Sequence, residues 1–314
     1  MITENYLDED VAYFLGLIVM RGQLYDRGSE RGIMIEFPFK SLQVEEYDQE
    51  LYLQLSANQI RDRIQELMES YVRVEKVGSA FIFTIRFLQN PITWRNLRYL
   101  LGSHRSYKDF QVPANIINAP LAIQLEFMRG VADVGGFIRN SNRYVDGRRR
   151  VYLEVHNRNW VLPIQQCALL QQQPEIPVQL VQWGHPNTRE PRGGEHWARE
   201  HQVKIFAEAF EPVGFTIGYK NEILRKFARQ DRKLHGQLHK CNPSPEIRRI
   251  QKKKRHPDEK STDLPTRLRN QHFNSYWQIC LALGCKQCVS GTLPLAIENE
   301  IDEESEVEGE TASE

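Results

Sequence analysis

Apolar and polar positions along this chain follow two periods, and the order in which those periods appear repeats. Leu7 to Arg21 predicts a buried helix, apolar almost throughout from Val11 to Met20. Gln23 to Tyr25 is a short strand, and Arg31 to Pro38 (RGIMIEFP) has the two-residue alternation of a longer one. Ser56-Ala57-Asn58-Gln59 opens a helix through Met68, with Ile60, Ile64 and Leu67 on one face. Tyr71 to Glu75 and Ala80 to Leu88 then form a hairpin across Val77-Gly78-Ser79, and Trp94 to Leu101 is amphipathic. The order is αββαββα.

The same order returns further along. Leu121 to Val134 is a helix leading into a strand from Gly136 to Asn140. A polar tip at Asp146-Gly147 precedes the strand Arg148 to His156. Trp160 to Gln172 reads as a helix because Pro163 falls in its first turn, where no hydrogen bond is lost. Val178 to Trp183 pairs with Gln202 to Phe210, the insert His185 to Trp197 loops between them, and Lys220 to Arg232 closes the repeat.

The leading helix of each repeat keeps an interior glycine. Gly16 and Gly130 lie 114 positions apart, and each is followed six residues later by another glycine, Gly22 and Gly136. Glycine inside a helix costs about 1 kcal/mol relative to alanine, so close approach by another backbone is the simplest reason to retain it. The two helices are expected to pack glycine to glycine.

These segments, Phe14 to Gly22 (FLGLIVMRG) and Met128 to Gly136 (MRGVADVGG), resemble the LAGLIDADG motif of the homing-endonuclease family. The lead-in Val112-Pro113-Ala114-Asn115-Ile116 is similar as well, and the resemblance spans roughly residues 5 to 235. It implies an α+β fold of two αββαββα repeats about a pseudo-twofold axis, a monomer whose two β-saddles straddle duplex DNA. The expected organisation is a first repeat at 1–110, a second at 111–235, a basic extension at 236–290 and a disordered acidic tail at 291–314.

In that family the eighth motif residue is an acid from each helix, and the two acids hold divalent metal. Here those slots hold Arg21 and Gly135. Neither ligates Mg²⁺, a hard cation that takes oxygen donors, and a guanidinium repels it. Asp133 keeps the acid of the sixth position, but two residues along a helix is a rotation of about 200°. The resemblance therefore implies DNA binding with degenerate catalysis. An active site-specific endonuclease is the alternative, with Mg²⁺ held by displaced acids: Asp133 first, then Asp8, Glu9, Asp10 or Glu154. Some degenerate family members assist RNA splicing, so an RNA-binding, maturase-like role is a further alternative. A protein-interaction role, with the basic charge incidental, is the third.

Charge changes the picture less evenly than the totals suggest. The chain carries 41 basic and 41 acidic residues, but nine of the acids lie in 298–314 with no Lys or Arg beside them. Residues 1–297 are therefore at +9, and 220–270 alone hold 16 basic against six acidic residues. Such a field attracts phosphate and makes binding salt-dependent. The acidic end buries too little apolar surface to fold and either solubilises the chain or competes with DNA for the basic block. No secretory signal or bilayer-spanning segment is visible, so a cytoplasmic protein without a membrane partner is expected.

The candidate base-reading residues cluster in the first hairpin of the second repeat: Arg139, Asn140, Asn142, Arg143, Arg148, Arg149 and Arg150, with Arg158 beyond it. Arginine pairs with guanine and asparagine with adenine through two hydrogen bonds, which is why these residue types suit a DNA groove. The matching hairpin of the first repeat offers Gln23, Tyr25, Arg27, Arg31 and Lys40. An ordinary polar turn is the competing interpretation of both. Lys252, Lys253, Lys254 and Arg255 form a cationic block suited to a phosphate backbone, or to a simple basic linker.

A helix from His272 to Gly284 is followed by Cys285-Lys286-Gln287-Cys288. That C-x-x-C pair, with Cys241 and one of His239, His272 or Cys280, has the donor types of a tetrahedral structural zinc. Unrelated thiols are the alternative. Cys167 lies in an apolar helix and reads as a core residue, and His156-Asn157 lacks the surroundings of an HNH nuclease.

Overall fold

The computed structural model describes residues 6–236, apart from 28–29, 44–48, 88–90, 144–146, 160, 172–173, 177 and 187–198. The expected basic block, zinc donors, 272–284 helix and acidic end all fall outside the described residues, as does most of the 185–197 insert. The fold is α+β. In chain order its elements are α1 (Glu9–Arg21), β1 (Gly22–Arg27), β2 (Glu30–Pro38), α2 (Phe39–Leu42), α3 (Gln49–Met68), β3 (Val72–Val77), β4 (Ala80–Arg86) and α4 (Pro91–Leu101). The second series is α5 (Ala114–Ile117), α6 (Leu121–Gly135), β5 (Gly136–Arg143), β6 (Arg149–His156), α7 (Val161–Gln171), β7 (Val178–Pro186), β8 (Arg199–Phe206), α8 (Ala207–Phe210) and α9 (Gly218–His235). Two antiparallel sheets have the same connectivity, β1-β2-β4-β3 and β5-β6-β8-β7.

The chain forms two compact units, one of Met1–Glu154 with Ile205–Leu238 and another containing Val155–Lys204. The first has α1 at its centre. Asp8 caps this helix by accepting from Val11 N at 2.8 Å, Glu9 and Asp10 suit the positive end of its dipole, and Arg21 suits the other. Every residue from Ala12 to Arg21 is buried, so the helix is packed on all sides.

The first sheet turns alternate residues inward. Ile33, Ile35 and Phe37 of β2 are buried beside Phe83 and Ile85 of β4, while Met34 and Glu36 are part-exposed. The open edge of β1 is covered by the segment after α4: Leu24 N donates to Arg105 O and Tyr107 N to Gly22 O, both at 2.8 Å. The second unit is built on α7, whose residues are buried on nearly every face, including Gln165, Gln166 and Gln171 beside Leu162, Leu169 and Leu170. Among the described residues no helix is long and apolar enough to cross a membrane.

Candidate nucleic-acid interface

The seam between α1 and α6 decides what the rest of this site can be. A Cβ on Gly16 would overlap Phe127 O and stand 2.9 Å from Val131 N and 3.1 Å from Gly130 Cα. A Cβ on Gly130 would overlap Tyr13 O and stand 3.2 Å from Gly16 Cα. The two backbones are in contact, and only a hydrogen fits on each side. This contact brings the C-terminal ends of the helices together, with Arg21 on one and Gly135 on the other.

Neither helix end offers a metal donor. Arg21 is buried, its Nη2 donates to Glu154 O at 3.1 Å, and its guanidinium lies 5.9 Å from the Tyr107 ring centre. Gly135 is backed by the Met20 side chain, with Cγ 2.7 Å and Sδ 3.2 Å from where its Cβ would be. Beside them Lys40 and Glu154 form a buried ion pair, and Lys40 Nζ lies 5.6 Å from the Phe137 ring centre. Lys40, expected on a groove-facing hairpin, is therefore turned inward.

Asp133 is fully buried. Its carboxylate accepts from Tyr13 OH at 2.9 Å and from Thr216 N at 3.0 Å, so its oxygens are used within the fold. Burial raises its pKa, opposed chiefly by the charge of Lys220. Burial and the Asp133 charge likewise push the Tyr13 hydroxyl well up. Lys220, at the start of α9, donates to Gly136 O at 2.7 Å, Ser41 O at 2.8 Å and Ala132 O at 3.3 Å. Desolvation lowers its pKa from 10.5 to about 7, with Asp133 acting the other way. Sequence patterning missed Lys220 because its three acceptors are backbone carbonyls, 84 to 179 positions away.

The other displaced-acid candidates fare no better as metal ligands at this seam. Asp8, Glu9 and Asp10 belong to the opposite end of α1, about 20 Å away at 1.5 Å per residue over 13 residues. Glu154 is committed to Lys40. Among the described residues no group of three His, Cys, Asp or Glu side chains could hold a metal ion. The donors present do not fit the Mg²⁺ that the sequence resemblance implies.

The arginine run opening β6 is internal rather than groove-facing. Arg149 Nη1 pairs with Asp231 at 2.5 Å, its backbone N donates to the same carboxylate at 2.6 Å, and its guanidinium sits 4.6 Å from the Phe227 ring centre. Arg150 is 0% exposed and lies 4.7 Å from the Phe206 ring centre. Arg148 pairs with Glu208 and donates to His235 O at 2.8 Å and Gly236 O at 3.2 Å. Burial raises the Glu208 carboxyl pKa, and Arg148 opposes the rise. Arg148 and Arg149 thus hold the last helix, and Arg150 is buried beside β8. A strand's two-residue period cannot identify the covered face when the partner acid, Asp231, is 82 positions on.

What remains open on that hairpin is smaller. Arg139 is part-exposed, 5.4 Å from the Phe137 ring centre, and Phe137 meets Tyr152 edge-on at 5.3 Å on the same face. Asn140 is exposed, although its Oδ1 accepts from Arg149 Nε at 3.0 Å. Backbone register pairs Arg143 with Arg149 across an irregularity; the side chains of Asn142 and Arg143 lie outside the described residues. Arg158 is exposed in the second unit.

The outer face of the first sheet is mixed in sign. Register places Gln23, Met34, Thr84 and Arg73 in one row, with Glu36, Ile82 and Glu75 in another. Arg73 pairs with Glu75 at 2.7 Å, and Arg31 with Asp26 at 3.4 Å. Tyr25 lies across Gly32, where any Cβ would overlap its hydroxyl end. The Arg27 side chain lies outside the described residues. Surface pairs of this kind contribute little to stability, so these arginines can exchange their acids for phosphate at small cost.

No protein-family model matches the chain, and no curated protein matches it. Among solved structures it is similar to mesophilic variants of the homing endonuclease I-DmoI, at 16% identity and a TM-score of 0.38, covering 64% of this chain and 86% of that one. I-DmoI in complex with DNA and Ca is similar at 14% identity and a TM-score of 0.38, covering 79% and 98%. The N-terminal LAGLIDADG domain of DUF199/WhiA is similar at 12% identity and a TM-score of 0.37, covering 66% and 81%.

Proposed function

We propose that this protein binds double-stranded DNA through the outer faces of its two four-stranded sheets and does not cut it. The observation that carries this reading is the α1–α6 seam: two helices in backbone contact at Gly16 and Gly130, ending in Arg21 and Gly135. The duplicated motif resembles the LAGLIDADG family, and the identical strand order of the two sheets supports the same use of both repeats. The excess of nine basic residues over 1–297 supplies attraction to a polyanion. Donor chemistry supports the non-cutting reading. Hydrolysis of a phosphodiester with Mg²⁺ needs oxygen ligands beside the scissile phosphates, and the seam ends in a guanidinium, a glycine and a buried carboxylate already paired with an ammonium.

Base contacts on this reading come from Arg139 in the second repeat and from Gln23, Thr84 and Arg73 in the first, while Asn140 is engaged by Arg149. Arg148, Arg149 and Arg150 serve instead to hold the scaffold. The test is selection of bound sequences from random duplexes at moderate salt, followed by incubation of the selected site with protein and Mg²⁺ or Mn²⁺. A motif of about 20 base pairs, binding that weakens steeply with salt, and uncut DNA are expected. Metal-dependent nicking would reject the non-cutting reading. Preference for structured RNA over every duplex, or binding that ignores salt, would reject duplex DNA as the ligand.

A further inference from the structure

Tyr71 and Val77 leave large apolar side chains in solvent, 79% and 57% exposed, at the two ends of β3. β3 is the last strand of the first sheet, and among the described residues no strand pairs with its outer edge. The two-residue turn Gly78-Ser79 joins Val77 to Ala80, which makes that pair one that exchanges both hydrogen bonds. Alternation then points the backbone groups of Arg73 and Glu75 at β4, and turns the N–H and C=O of Val72, Val74 and Lys76 to the open edge. Val72 N accordingly donates to a side chain, Gln65 Oε1 at 3.2 Å. Such an edge is a template for another strand.

Charge decides which strand fits. Arg73 and Glu75 share the outer face with Tyr71 and Val77, because Val72 and Val74 lie across from the buried Ile85 and Phe83. A second β3 laid antiparallel about a twofold axis at Val74 sets Arg73 opposite the partner's Glu75, and Glu75 opposite the partner's Arg73. The same register sets Tyr71 opposite the partner's Val77, so the exposed apolar side chains cover one another. Edge-directed backbone groups also meet, Val74 with the partner's Val74 and Val72 with the partner's Lys76. The neighbouring registers fail. An axis at Glu75 opposes two glutamates, one at Arg73 two arginines and one at Lys76 two lysines, and like charges directly across are destabilising. An axis at Val72 runs half of each strand past the end of the other. Axes between residues match edge-directed groups with groups already bonded to β4. Lys76, an inward charge of the kind that blocks pairing, lies 5.4 Å from the Phe39 ring centre of its own chain, drawn back over its own sheet.

We propose that β3 is a self-association edge, through which two copies of this chain pair antiparallel about Val74 and join their first sheets into one. The interface is a single strand wide, which makes the dimer weak and concentration-dependent. Arg73 exchanges Glu75 of its own chain, at 2.7 Å, for the same acid of the partner, so its availability to phosphate is unaltered. The inference goes beyond the duplex-binding reading and stands without it.

Sedimentation equilibrium of the full chain without DNA, from about 1 to about 300 µM, should show the mass rising from 36.8 kDa towards twice that value. Val74→Pro removes an N–H that points at the edge, where a strand tolerates proline. It should weaken association by roughly tenfold or more and leave the folding midpoint in place. Arg73→Glu and Glu75→Arg each set like charges across the axis and should each stay monomeric. An equimolar mixture of those two variants should associate as strongly as the parent, because every facing pair then has opposite signs. A fold defect cannot produce that rescue, so the charge variants decide alone if Val74→Pro misfolds. A parent monomeric at every concentration overturns the inference, as does a dimer indifferent to a folded Val74→Pro, or a mixture that stays monomeric. Failure of the parent to bind any duplex would remove the duplex-binding reading and leave these readouts untouched.

Discussion

Lys220 is the residue whose chemistry departs most from its ordinary behaviour. Its amine is buried among backbone carbonyls, which accept from an ammonium, yet burial still lowers its pKa to about 7. Between pH 7 and 10.5 the unfolded chain therefore binds a proton at this site that the folded chain has released. Stability rises with pH where the unfolded state holds more protons, so the cost of this lysine is full below pH 7 and fades towards 10.5. Chemical denaturation of the parent and of Lys220→Met should give stability curves whose difference, parent minus variant, climbs by up to about 1.4 kcal/mol per pH unit between 7 and 10. A flat or falling difference would mean that the three carbonyls keep the ammonium at its solution pKa. Tyr13 acts outside this window: its raised pKa reduces stability only above pH 10, where the unfolded phenol ionises first.

At the scale of elements, the α1–α6 contact makes the sharpest demand on sequence. Gly16→Ala pushes a methyl group into Phe127 O and Val131 N, backbone atoms that move only if the helices part. A loss of about 3 kcal/mol is expected, the upper end for overpacking, read as a fall in denaturation midpoint. Gly218→Ala is the matched control. Nothing lies within 4 Å of its would-be Cβ, so the change should leave stability level or raise it by about 0.5 kcal/mol. Equal effects at both glycines would refute the seam. These glycines were legible in the sequence because a strong helical pattern makes an interior glycine conspicuous. The start of α3 was not. Ser56 reads as an N-cap, but the helix begins at Gln49, and the Ser56 hydroxyl donates back to Tyr52 O at 2.7 Å and to Leu42 O at 3.0 Å. A serine bonding the carbonyl four residues earlier and one opening a helix have the same local sequence. The β6 arginines were opaque for a related reason, since their direction depends on Asp231 and Glu208, far along the chain.

Across the whole molecule, the proposed separation of binding from cleavage is tested at the two helix ends. If only the ligands are missing, acids placed at both helix ends should create a metal site. Gly135→Asp meets the buried Met20 side chain from Cγ to Cε, so the seam admits it only if the whole Met20 side chain swings aside. Arg21→Asp removes the guanidinium from Glu154 O and puts a carboxylate on the adjoining helix end. Lys40 remains nearby and opposes a cation, which weakens the site without abolishing it. The double variant should therefore bind Mn²⁺ by calorimetry at millimolar strength, while the parent shows no heat at the same concentrations. With the selected duplex present, the variant's affinity should rise on adding Mg²⁺ at constant ionic strength, because two new carboxylates repel phosphate until a cation bridges them. The parent's affinity should not change. A parent that needs Mg²⁺ to bind, or a double variant that folds and binds DNA yet ignores metal, would show that the helix ends do not meet the phosphates. The interface would then have to be sought on another surface of the protein.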